Sequence, residues 1–392
     1  MSSILTSDRL IATIRRRAFI PRSQETFSND DFLEMATEEI NLGIMEKLIN
    51  ARGDYLVYYT DLPMVDGTTT YTIPNRAHGN KLRDAHIVDS DGKVIYELSQ
   101  ISLEELIDFN QDYTFQKRTN FYMENDCLKL HEDLIKVGHS IRMWFYMRPN
   151  KLVQNARAGV INQVSSSTEV DKLSPLSGTV SGISISATAA IVTSTAHGLT
   201  SGKVIVTGSD STPVIDGTHT ITVLDTNTFS VPVVTSVAGT SGSWSKAIDV
   251  KIITLATLPT HFTSALKYDV VGAESPNKLV HFNNFPNTVN TTTKSLSFSA
   301  KACPSLVVGD YVTKAEETIV PNIPTELHPI VAQKVAIACL EAMGDEQNKQ
   351  SAERKLASME KSAISIISNR VEGAPKKIKN RFGTLNSGKR RR

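Results

Sequence analysis

Residues 324–345 read PTELHPIVAQKVAIACLEAMGD, and this stretch decides how the chain is built. Ala, Ile, Val and Leu recur at helical spacing, and Gly344 provides a stop. Pro329 falls in the first turn, where backbone N–H groups have no intrahelical partner in any case. The spacing predicts one helix from about Thr325 to Met343 and a second from about Asp345 to Val371. In the second, Ala352, Leu356, Met359, Ala363, Ile366 and Arg370 step by four and three. Such a seam resembles a short coiled coil, but the bundle reading is a helix packing on its neighbour and on an N-terminal helix.

Beyond the hairpin the composition turns basic. From Arg370 onward there are nine Lys/Arg and one Glu, so this segment carries +8 in a chain whose net charge is +1. The remaining 33 basic and 40 acidic residues give −7. An acidic body with a basic arm points to docking. Lys376, Lys377, Lys379, Arg381, Lys389, Arg390, Arg391 and Arg392 are the candidate contacts, to a protein groove or to DNA phosphates. Phe382 is the lone aromatic among them, which gives no pattern for base stacking. Gly383 and Gly388 fit an arm that is unstructured when free.

At 392 residues the chain can bury more than one core. No apolar run approaches the ~20 residues that cross a bilayer. Arg15-Arg16-Arg17 interrupts any secretory signal pattern near Met1. Cys127, Cys303 and Cys339 are few and far apart, as in a reducing compartment, and lack metal-site spacing. A cytoplasmic origin is expected, so the sequon at Asn290 carries no meaning.

Toward the N-terminus, residues 8–17 predict a short basic helix stopped by Pro21. Ser28 and Asp31 open a helix whose apolar face is Leu33, Ala36, Ile40, Ile44 and Leu48, ending near Gly53. The period then changes to two. Tyr55–Tyr59 and Thr70–Pro74, around Asp66-Gly67, predict a hairpin or meander. Ala85–Val88 and Val94–Leu98, around Asp91-Gly92, predict a second hairpin. A short helix is expected at 103–109, and Phe121–Met123 with Cys127–Leu130 form a further strand pair. Ser140–Arg148 is a strong strand closed by Pro149. Later strands are expected at Val250–Thr257, Lys278–Phe282, Ser295–Phe298 and Leu306–Val312.

Residues 183–244 differ from the rest. They hold four charged residues (Lys203, Asp210, Asp216, Asp225) in a Thr/Val/Ser/Gly-rich run. Short strands are expected at 189–194, 203–208, 218–224 and 228–234. Ser165–Ser174 and Ala238–Ser245 are Ser/Gly-rich and read as linkers joining a small β module to a surface loop. The fold class is therefore α+β. A helical hairpin or bundle drawn from both the N- and C-terminal regions accompanies an antiparallel β domain, an inserted all-β module and a basic C-terminal tail. The divisions are 1–54 (helical), 55–164 and 246–320 (the two parts of the β domain), 165–245 (linker and module), 321–372 (helical hairpin) and 373–392 (tail).

Catalytic patterns are missing from the sequence. Gly198 to Lys203 imitates a phosphate-binding loop but has three residues between its glycines and Val204 where a Ser/Thr is needed. There is no nucleophile elbow and no HExxH helix. His78, His197 and His219 lack neighbouring ligands at metal spacing. Glu38-Glu39 and Glu104-Glu105 are adjacent on helices and so face different ways. No catalytic residue, cofactor or metal is expected.

The order of elements resembles the head-to-tail connector, or adaptor, proteins of tailed bacteriophages, particularly short-tailed ones. The residues that carry it are the acidic helix Asp31–Ile40, the Pro63–Pro74 hairpin and Tyr146-Met-Arg-Pro149-Asn-Lys-Leu152. They continue with Val320-Pro-Asn-Ile-Pro324-Thr-Glu-Leu-His328 and the helices that follow. Ser194-Thr-Ala-His197, Asp216-Gly217-Thr-His219 and Asp225-Thr-Asn-Thr-Phe229 resemble a β domain common as an insertion in phage structural proteins. Minimal adaptors lack such an insert. The resemblance implies a structural virion protein at the head–tail junction, assembled in the bacterial cytoplasm. It would form a homo-oligomeric, typically dodecameric, ring under the portal protein, continue the DNA channel and support downstream tail or nozzle proteins, without contacting membrane. The competing expectations are a tail or receptor-contact protein whose β module binds a surface ligand such as carbohydrate, against which the scarcity of aromatics argues (Phe229 and Trp244), and a virion hydrolase.

Overall fold

The computed structural model describes residues 5–24, 26–51, 53–102, 119–131, 134–272 and 279–367, with side chains to 363. It is a mixed α+β structure of N-terminal helices, large antiparallel sheets and a C-terminal helix pair that packs against the first helix. The helix expected at 103–109 lies outside the described residues.

Helix α1 (Ser7–Arg17) buries Leu10, Ile11 and Ile14. Helix α2 (Asn29–Glu38) starts with a full capping box: the Ser28 N–H donates to Asp31 Oδ2 (2.7 Å) and the Asp31 N–H to Ser28 Oγ (3.1 Å). The predicted single helix continues through a π-helical turn, Glu39–Ile44, into α3 (Met45–Ala51). Gly43 lies in that turn. A Cβ there would sit 2.7 Å from Lys334 Nζ, which pairs with Glu39 at 2.8 Å. Gly43 thus leaves room for an ion pair between the π turn and helix α4 (His328–Ala342). A 3-10 turn, Thr325–Leu327, precedes α4, and Pro329 sits in its first turn as the sequence predicts. Helix α5 (Glu346–Ile367) completes the helical layer. Its Ala352 and Ala363 are buried, and Leu356 and Met359 pack on the same core as Phe32, Leu33, Ile40, Leu48, Val331 and Val335. The seam of α5 is therefore met within the chain.

The strand Ser140–Met147 alternates strictly, burying Ile141, Met143, Phe145 and Met147. It is flanked on both sides, by Val57–Pro63 and by Ala77–Val88. The hairpin expected between Tyr55–Tyr59 and Thr70–Pro74 does not form. Val57–Pro63 pairs with Ser140–Met147, where Arg142 clamps Asp61 at 2.7 and 2.8 Å. Thr70–Thr72 joins Cys127–Leu130 in another sheet, where Tyr71 faces a core with Phe121 and Leu128. The Asp66-Gly67 turn is local, but the partners on either side are chosen by burial. The hairpins Ala77–Val88/Val94–Glu97 and Asn120–Glu124/Cys127–Leu130 form as expected.

The strand Ser243–Leu255 is the spine of the largest sheet. Its first half pairs with Gly202–Thr207 and Ser177–Thr179, and its second half with Gly159–Val170 and Ser295–Ser299. Trp244 belongs to the core of residues 180–244, whereas Ile253 and Leu255 belong to the core with Tyr268 and Phe298. Strands at Ala190–Thr193, Gly202–Thr207, Gly217–Val223 and Thr228–Val231 match the predicted positions. The flanks expected as linkers are different. Ser165–Val170 runs in register with Ala247–Ile252. At this junction Lys203 Nζ (2.6 Å) and Thr168 Oγ1 (2.8 Å) both donate to Asp249. Asp171, 4% exposed, accepts from the N–H groups of Leu173 and Ser174 and pairs with Lys246 at 2.9 Å. Serine and threonine gave the segment a linker-like composition, yet β pairing satisfies its backbone.

One further strand expectation shifts, and one strand was not foreseen. Tyr311–Lys314 replaces Leu306–Val312, because Gly309 takes a positive φ and breaks the run. The strand Tyr268–Val271, buried throughout, was not read in the sequence: it is four residues long and Asp269 breaks its apolar pattern.

Candidate interaction surface

The eight cations singled out in the tail, Lys376, Lys377, Lys379, Arg381, Lys389, Arg390, Arg391 and Arg392, lie outside the described residues. The surface that leads to them is described. Near its C-terminal end α5 lies over α3, with Lys47 paired to Glu360 at 3.0 Å and Ala363 near Leu48 and Ala51.

At the other end of α5, a groove of about 470 Å3 opens between it and the C-terminus of α1. Arg16, Arg17 and Lys355 supply its charge, and the fold gives each of the three successive arginines Arg15–Arg17 a different task. Arg15 turns inward, its guanidinium 5.0 Å over the Phe32 ring and reaching Asn29 Oδ1 at 3.4 Å. Arg17 Nη1 donates to the Pro329 carbonyl (2.6 Å) and to Gln333 Oε1 (3.0 Å). Gln333, 2% exposed, donates through Nε2 to the Ala352 carbonyl (3.2 Å) and so ties α1, α4 and α5 together. Burial, and then the neighbouring Arg16, lower the pKa of Arg17, although a guanidinium stays charged at neutral pH. Arg16 is exposed and makes no ion pair among the described residues. Lys355, across the groove on α5, is in the same position.

Phe19 completes this groove. It has φ +56°, a left-handed conformation unusual for a bulky residue, and its ring is 73% exposed. The reversal returns Ile20 to the core, with its N–H donating to the Arg15 carbonyl at 2.9 Å. An aromatic ring in water beside two cations that make no ion pair among the described residues is a feature of a contact surface.

A stripe of opposite charge runs along α2. Asp30, Glu34 and Glu38 are spaced by four and all are exposed. Asp30 accepts from Gln154 Nε2 (2.9 Å), Glu34 lies 3.7 Å from Lys151, and Glu38 has no partner among the described residues. The adjacent acids are occupied, Asp31 by the capping box and Glu39 by Lys334.

A second groove, about 640 Å3, lies between the π turn and the sheet and includes Asn41, Leu42, His78, Lys81, Tyr146 and Arg148. Leu42 is 79% exposed. His78 is held below the usual imidazole range by burial first and by Arg148 and Lys81 next.

The reactive side chains have structural roles. Burial pushes the Cys303 thiol up to about 12 and the Cys339 thiol to about 11, which suppresses the thiolate. His197 packs edge-on against Phe229 and Trp244. Gly198 has a positive φ in the loop before the strand that Gly202 opens, and Lys203 on that strand is held by Asp249. Among the described residues, no three His, Cys, Asp or Glu side chains converge as a metal site. No protein-family model matches the chain, and no curated protein matches it either.

Sequence reasoning read Arg15–Arg17 only as a basic helix and passed over Phe19. The available signal was three cations followed directly by an aromatic at a helix end. The acidic stripe was visible in the spacing of Asp30, Glu34 and Glu38.

Proposed function

We propose that this protein is a structural adaptor of a tailed bacteriophage, forming a homo-oligomeric, dodecameric ring that joins the portal to the tail and continues the DNA channel. The observation that carries the reading is the layout of charge on the helical layer. N- and C-terminal helices share one core, and the last of them, α5, leads directly into a segment of charge +8. In this reading the arm of residues 373–392 orders on an acidic groove of the portal, and many weak contacts multiplied around the ring hold it there. In this reading the 165–245 region is a module inserted into the β domain and joined to it through the strand Ser243–Leu255. The protein does no chemistry, needs no cofactor and resides in the virion after assembly in the host cytoplasm.

The copy number of the chain in purified virions tests this. Quantitative mass spectrometry should give parity with the portal protein. Hundreds of copies would mean a capsid or tube protein, and a handful would mean a spike. Truncation after Val371 should abolish portal binding by the otherwise folded protein, and unchanged binding would overturn the role of the arm.

One observation favours a receptor-contact reading. Ile185, Val214, Val234 and Val237 are all more than half exposed, and bridges between Ser186 and Thr235 and between Thr212 and Val237 gather them at one end of the module. Phe229 and Trp244 are buried, so this end is aliphatic and suits a protein ligand better than a sugar.

A further inference from the structure

We infer that the groove between α1 and α5 is the receiving half of a contact between copies of this chain, and that the acidic stripe of α2 on a second copy occupies it. The inference rests on the adaptor reading for its biological setting, but its evidence is the surface itself.

The two surfaces match in length, charge and pattern. On α5, Asn348, Ser351, Ala352 and Lys355 line the groove at positions i, i+3, i+4 and i+7, one helix face. At 1.5 Å per residue this face is about 10 Å long. The stripe from Asp30 to Glu38 covers nine residues, a rise of about 12 Å. Arg16, Arg17 and Lys355 present three cations, and among the described residues no carboxylate lines the groove. The stripe presents three carboxylates, of which Glu38 is unpaired among the described residues and Glu34 is held only at 3.7 Å. Short polar residues, Asn348 and Ser351, leave space for a helix to approach. Phe19 stands at the edge, where it would cover apolar surface on the incoming helix and shield the charge pairs from water. Such shielding strengthens them.

The groove belongs to α1 and α5 and the stripe to α2. The contact is therefore heterologous: each copy offers one groove and one stripe, and repetition gives a closed ring or an open filament. A polyanion such as double-stranded DNA also carries charge that the groove would attract. The match of three carboxylates on the same chain to three cations favours the second copy.

The test uses the full chain in sedimentation velocity at low and at raised salt. Arg16→Glu with Lys355→Glu should weaken self-association by about tenfold or more, and Glu34→Lys with Glu38→Lys should do the same. An equimolar mixture of the two variants should restore it, because opposite charges meet again between alternating copies. That recovery also shows that both variants are folded. The inference is overturned if either variant associates like the parent, if the mixture does not recover, or if the parent stays monomeric at every concentration. It is also overturned if the groove variant loses a double-stranded DNA fragment that the parent binds while self-association is unchanged. Rings that survive both charge reversals would discard this pairing and leave the adaptor reading intact, since that reading fails on virion copy number alone.

Discussion

Arg76 and Asp269 lie 193 positions apart in sequence, yet both terminal nitrogens of the guanidinium donate to one carboxylate oxygen, each at 3.1 Å. Both side chains are buried, at 3% and 0% exposure. Asp269 also accepts from Asn150 Nδ2 (2.7 Å) and from the N–H groups of Asn283 (2.9 Å) and Glu316 (3.0 Å). One carboxylate therefore joins the Pro74–Ala77 turn, the segment after Met147 and the strand Tyr268–Val271. Buried charges of this kind are tolerated only when fully hydrogen-bonded.

Arg76→Met should cost about 3–5 kcal/mol, because it leaves Asp269 buried without its cation. Urea unfolding should show the loss as a lower midpoint with an unchanged slope. A cost under about 1 kcal/mol would mean that Asp269 is satisfied by its other donors.

Gly178 should not accept a side chain. A Cβ there would stand 2.9 Å from the Trp244 ring, which is 1% exposed and donates from Nε1 to Ser194 Oγ at 2.9 Å. Gly178→Ala should destabilise the core of residues 180–244 by about 1–3 kcal/mol through overpacking. Tryptophan fluorescence should shift to the red, with Trp244→Phe variants assigning the change between the two tryptophans.

Stability should fall with acid partly through His328. The ring is 1% exposed and lies 3.1 Å from the Ile323 carbonyl, and burial lowers its pKa below the ordinary 6.5. The unfolded chain then binds the proton more tightly than the folded one. The contribution is full above the unfolded value of 6.5 and is lost as pH falls below it toward the folded value. Melting temperatures taken across this range should show a shallower acid decline in His328→Gln.

Phe19→Asn should leave the monomer as stable or up to about 1 kcal/mol more so, since asparagine tolerates the left-handed backbone better. Self-association should weaken in the same variant. Loss of stability instead would show that the exposed ring supports the monomer.

The sequence by itself determined the local elements. The Ser28/Asp31 cap, the Pro329 entry and the spacing of Ala352, Leu356, Met359 and Ala363 fixed the helices. Alternation in Ser140–Met147 and the turn dipeptide at Asp91-Gly92 fixed a strand and a hairpin. These signals act over a few residues, so they are legible without the rest of the chain. Only the tertiary structure decided which strands meet. Val57–Pro63 left its sequence neighbour for Ser140–Met147, and the serine-rich flank became half of a ladder with Ser243–Leu255. Pairing is set by which faces can be buried together, and that depends on residues far away in the chain, as Val57 and Tyr146 are. For the same reason Arg15, Arg16 and Arg17, alike in sequence, became an internal clamp, an exposed surface cation and a bridge to Gln333.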